Sequence, residues 1–257
     1  MSVQAQVADT PAEATTKFQY GLGLAAVSAS EYEGSDRYTV KLRPLIVLQY
    51  GRFRFTGARA GAVLDRSGVG ERGASAELFS NERWRASAGV RIDSGRKSSD
   101  SAYLTGLPDV KQTARGRLLL SYKLTDQHRF DMAFAQDLLG RGGGAIATFD
   151  WNYLQRLNLS TEWFVNAGLT AGDRTFMQTN FGIPAGNTSV LPIFNAAAGL
   201  RDLHMVTGLR YAISPRWMAF GNIAATQLTG SANASPLTKV RQSGGLTIGV
   251  AYRCCGA

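Results

Sequence analysis

Chemistry in this chain has few places to sit. Two histidines, His128 and His204, are the candidates for a proton-transfer group among the 257 residues. Asp202 and His204 stand two positions apart, so an extended strand puts them on one face, as an Asp/His protease or a serine hydrolase would use. A hydrolase also needs a nucleophile and an orienting carboxylate or amide nearby, and no such signature accompanies the pair. His204 therefore reads as an interior histidine hydrogen-bonded to a neighbour, and His128 falls at a tight turn; no catalytic residue is assigned. Gly140-Arg141-Gly142-Gly143-Gly144 is followed by neither Lys-Ser/Thr nor a helix, which makes it a hairpin connection rather than a phosphate loop. Cys254 and Cys255 are adjacent at the end of the chain and cannot supply spaced zinc ligands. No metal or cofactor is expected.

The remaining reactive groups are charges, and the formal balance is +9. Their placement follows a period of two. From Arg83 to Asp93, one parity holds Trp84, Ala86, Ala88, Val90 and Ile92, and the other holds Arg83, Arg85, Ser87, Gly89, Arg91 and Asp93. Thr113 to Lys123 and Arg129 to Asp137 repeat the arrangement. On this parity the inward charges are Lys41, Arg43, Arg54, Arg85, Arg91, Arg115, Arg117, Lys123, Arg129 and Arg210, faced by Asp93, Asp131, Asp137, Asp150 and Glu162. Two readings compete: a cationic lumen that selects anions, or cross-strand pairs that fill a narrow interior. Acids accompany bases on the same strands, which favours pairing. Arginines spread over many strands make nucleic acid a poor partner.

Elements that position such a pattern are strands with one lipid-facing side. Apolar residues reach 44%, yet no apolar run approaches the eighteen or so residues of a spanning helix. Glycine at 29, proline at 7 and 10% aromatics suit extended structure. Strands are expected near 18–27, 37–49, 53–64, 72–80, 84–93, 112–124, 128–138, 143–154, 157–170, 196–211, 216–228 and 240–252. Short connections, Gln155-Arg156 among them, alternate with long ones. The fold class is thus all-β: a transmembrane antiparallel up-and-down barrel of about twelve strands, with tight turns in the periplasm and long loops outside. Residues 1–16 read as a flexible lead-in, 17–253 as the barrel and 254–257 as a tail. No export signal opens the chain, and Val3-Gln4-Ala5 before Gln6 suits prior processing.

The loops and the last strand resemble the MipA/OmpV family of outer-membrane proteins. The resemblance rests on Glu31-Tyr32-Glu33-Gly34-Ser35, Leu104-Thr105-Gly106-Leu107-Pro108-Asp109-Val110, Asn180-Phe181-Gly182-Ile183, the segment from Leu228 through Gly230 to Ser235-Pro236, and Gly245 to Tyr252. It covers nearly everything after residue 17. Glu31 stands where the family often has proline, and Tyr252 is followed by five residues where such barrels commonly end on an aromatic.

The resemblance implies a non-enzymatic scaffold in outer-membrane lipid that links a lytic transglycosylase to a murein synthase. An anion-favouring channel and an adhesin acting through the long loops are the alternatives.

Overall fold

A computed structural model describes residues 18–57 and 73–254. Its strands are β1 (Phe18–Ser30), β2 (Tyr38–Tyr50), β3 (Phe53–Gly57), β4 (Gly73–Ser80), β5 (Trp84–Asp93), β6 (Thr113–Lys123), β7 (His128–Asp137), β8 (Ala145–Arg156), β9 (Thr161–Gly172), β10 (Gly199–Ala212), β11 (Trp217–Leu228) and β12 (Gln242–Cys254). Each pairs antiparallel with its sequence neighbours, and β1 pairs with β12 to close the barrel. Closure gives every described strand a neighbour on both sides, the arrangement that lets strands cross lipid.

Alternation of apolar and polar residues becomes outside and inside. Val40, Leu42, Leu118, Met132, Phe134, Ile223 and Ile248 all project outward and are exposed, whereas Asp131, Asp150, Asn152, Asn166 and Arg210 are buried inside. A soluble protein could not expose such a belt; lipid can cover it. Aromatics gather at the short-turn end: Trp84 packs on Tyr122 at 4.6 Å, Trp217 on Tyr252 at 5.3 Å, and Tyr153 on Trp163 at 5.7 Å. Such a girdle belongs at a membrane interface. His128 joins it, accepting a hydrogen bond on Nδ1 from Trp151 Nε1 at 3.1 Å.

The expected strands all appear, with shifted ends. Gln155-Arg156 is not a turn: β8 runs through Arg156, and the turn falls at 157–160. Asn158 explains the shift, because its carboxamide oxygen accepts from the Ser160 N–H at 2.9 Å and folds the chain back there. Leu157 and Leu159 therefore leave the strand expected to carry them. β12 extends one residue past the expected end of the barrel, to Cys254, which pairs with Tyr20. Expectations for 1–16, for 58–64 at the end of the third strand, for the following loop and for 255–257 lie outside the described residues.

The connection between β9 and β10 holds a helix that alternation could not reveal, α1 (Arg174–Phe181). Asp173 caps it, accepting from the Phe176 N–H at 2.7 Å. A single turn, α2 (Gly230–Ala234), lies between β11 and β12.

Candidate functional site: a capped lumen

Among the described residues, the long loops fold over the end of the barrel. Tyr32, Leu104, Leu107, Ile183 and Leu237, from four different loops, form one apolar cluster, and Phe176, Met177, Phe181, Ala196 and Ala232 form a second, continuous with Ala135, Ile146 and Leu228 of the barrel wall. Polar contacts lock the clusters. The Ser235 hydroxyl donates to the Phe181 carbonyl at 2.6 Å, the Tyr32 hydroxyl to the Leu237 carbonyl at 3.3 Å, and the Tyr103 hydroxyl to the Pro236 carbonyl at 3.1 Å. Burial, with Tyr103 and Asp36 nearby, pushes the Tyr32 phenol up to about 12, so it remains a neutral donor.

Every loop motif behind the family resemblance lies in this cap. Gly34 accepts the Lys239 and Val240 N–H groups at 2.9 and 3.1 Å, and Ser35 is buried. Gly106, at φ +84°, leaves no room for a side chain: a Cβ there would sit 2.6 Å from Ser189 N. Asp109 accepts from the Ser98 N–H at 2.7 Å, which lowers its pKa and pins the loop that presents Leu107. Gly182 closes α1, donating its N–H to the Gln178 carbonyl. Gly230, at φ +50°, opens α2.

Beneath the cap, polar side chains fill the barrel. Arg115 is buried; its Nε donates to Asp93 at 2.9 Å, Nη1 to the Gly144 carbonyl at 2.9 Å, and Nη2 to the Gly143 carbonyl at 2.7 Å. Asp137 accepts from Thr113 and from the N–H groups of Leu139, Arg141 and Gly143, which shapes the Gly-rich hairpin. A connected band then crosses β7 to β10. Arg129 donates to Asp131, Asn152 to Asp131 at 3.0 Å, Asn166 to Asn152 at 3.1 Å and to Asp150 at 3.3 Å, and His204 lies 2.8 Å from both Asp150 and Asp202. With a carboxylate on each ring nitrogen, His204 has no nitrogen left to accept a proton from a nucleophile.

Arg201 continues this band, and the alternation did not reveal it. A bulge between Leu200 and Asp202 breaks the register, so Arg201 and Asp202 both turn inward. Arg201 contacts Asp202, reaches Glu33 of the first loop at 3.3 Å, and lies over the Phe176 ring, 5.7 Å from its centroid. The signal available in the sequence was two consecutive charges, Arg201-Asp202, inside an otherwise alternating strand.

Toward the short-turn end the lumen opens into a cavity of 1340 Å³. Arg54, Arg85, Arg91, Arg117, Lys123, Arg129 and Arg210 line it. Arg54 donates to Gln49 at 2.9 Å, Arg85 meets Glu77 at 3.1 Å, Lys123 meets Asp126 at 2.6 Å, and Glu162 lies between Arg156 and Arg210, at 3.4 and 3.9 Å. Lys41 and Arg43 share the inward parity, through Val27 and Ala25 on β1, but do not line the cavity.

A closed antiparallel barrel with an apolar outer wall, an interfacial girdle and a polar, internally bonded lumen is an integral outer-membrane β-barrel. The family model described as MltA-interacting protein MipA matches residues 22–254, and the chain belongs to that family. Among solved structures, the chain is similar to the NanC porin at 10% identity and TM-score 0.47, covering 90% of this chain and 98% of that one. It is also similar to the KdgM porin at 12% and 0.45, covering 90% and 98%, and to OmpT of Vibrio cholerae at 9% and 0.41, covering 93% and 97%. No curated protein matches the sequence.

Proposed function

We propose that the protein is a non-enzymatic interaction platform in the outer membrane of a Gram-negative bacterium. It holds its cap outside and its tight turns in the periplasm, where it docks a lytic transglycosylase and, beside it, a murein synthase. One observation carries this reading: among the described residues, folded loops pack together over one end of the barrel, and a cavity opens among the short turns at the other. A transport pore needs both ends open, whereas a periplasmic platform needs only the second. The family's description as a transglycosylase-interacting protein supplies the partner class. The engagement of both His204 nitrogens by carboxylates supports the absence of hydrolytic chemistry.

The basic cavity favours one competing reading, an anion-selective channel whose cap opens. In-cell photo-crosslinking separates the platform from it. A reactive residue at Asp126, whose side chain is 93% exposed in a short turn, is expected to capture murein enzymes, and one at Val190, 98% exposed on the cap, is not. Capture at neither position removes the platform and leaves the channel.

A further inference from the structure

Charge inside the barrel is unevenly distributed. On the inward face of β2 to β6, among the described residues, eight bases (Lys41, Arg43, Arg54, Arg85, Arg91, Arg115, Arg117, Lys123) face two acids, Glu77 and Asp93. Across the lumen, Asp131, Asp150 and Asp202 are bound into the amide and histidine band described above, and Glu162 lies beside Arg156 and Arg210. The basic wall is built for side-by-side guanidinium groups. Arg54 and Arg117 occupy one rung, separated by Ser75 and Gly89. Neutral hydrogen-bonding groups, Gln19, Gln49, Ser87, Ser121, Asn152 and Asn166, share the same cavity.

We propose that this cavity binds a carboxylate-bearing oligosaccharide that enters from the short-turn end. Guanidinium forks match carboxylates in a planar, bidentate way that lysine does not. Amide and hydroxyl side chains match sugar hydroxyl groups, whereas an acidic peptide would also call for apolar side-chain pockets. The cavity of 1340 Å³ exceeds the usual span for a single small molecule, roughly 300–1,000 Å³, and suits several linked sugars. The filled layer of Arg115, Asp150 and Asp202, all buried, makes it a blind site that retains its ligand rather than passing it through. The binding site stands whichever way the barrel faces; only the periplasmic source of the glycan rests on the orientation proposed above.

Calorimetric titration of the refolded full chain in detergent tests this without reference to partners or orientation. The probe is a tetrasaccharide of alternating glucuronate and N-acetylglucosamine, and the controls are the neutral tetramer of N-acetylglucosamine and tetraglutamate. The uronate tetramer is expected to bind, more weakly as salt rises, and to bind at least about tenfold more weakly in the Arg91→Gln/Arg117→Gln variant. Both controls are expected to bind at least about tenfold more weakly than the probe. No uronate binding, equal binding of the neutral tetramer, tighter binding of the peptide, or an unchanged affinity in a folded variant each overturns the proposal. If that variant does not fold, a bulky maleimide on Ser87→Cys replaces it. Blocked binding then supports the site, and unchanged binding overturns it.

Discussion

Arg115 lies over the Phe176 ring, 5.3 Å from its centroid, and so joins a membrane strand to the helix that seals the lumen. The same guanidinium holds Asp93 and two loop carbonyls. Replacing it with Met strands the Asp93 carboxylate and frees the hairpin. Arg115→Met is expected to lower stability by about 3 kcal/mol, read from chemical unfolding in lipid vesicles. Adding Asp93→Asn is expected to recover part of that loss, because no uncompensated charge remains.

Gly106→Ala should loosen the cap and spare the barrel. A Cβ there meets the Ser189 backbone, and φ +84° disfavours any side chain. Limited proteolysis is expected to cleave within 98–110 and 184–196 faster than in the parent, while the strands stay protected. Equal cleavage would separate Gly106 from cap integrity.

Tyr32 gives the cap a dependence on alkaline pH. Its phenol is raised to about 12 in the folded state against an ordinary 10. Unfolded or opened chain therefore loses the proton first. The contribution is complete below pH 10 and declines as pH rises toward 12. Proteolysis of the cap loops is expected to accelerate across that range, and Tyr32→Phe should remove this acceleration while costing about 1 kcal/mol for the lost bond to Leu237.

In planar bilayers the intact protein is expected to be silent. Replacing 174–196 with a short Gly-Ser linker removes α1, Ile183 and Phe194 from the cap and should produce discrete, anion-favouring conductance. Steady conductance by the intact protein would mean that the seal opens on its own.

The strands were legible because lipid outside and polar groups inside force a period of two, and a single strand such as Trp84 to Asp93 displays it without help from its neighbours. Asn158 moved a turn by a local bond that alternation does not encode. Arg201 escaped for a related reason: a bulge inserts one residue, and the period then points it to the wrong side. The cap was legible only as short motifs. Its contacts join residues as far apart as Tyr32 and Leu237, 205 positions, and no short window along the chain contains both. Parity assigns each strand charge a side, but its partners depend on the register between strands.

The contact between Tyr32 and Leu237 spans the place where β1 meets β12. Gly34, accepting from Lys239 and Val240, lies across the same boundary. The first and last strands of the chain close the barrel, and the loops above them interlock across that closure. The interlocked loops therefore mark a closed seam: a binder that needs the first and last loops together would distinguish a closed barrel from one open along its side.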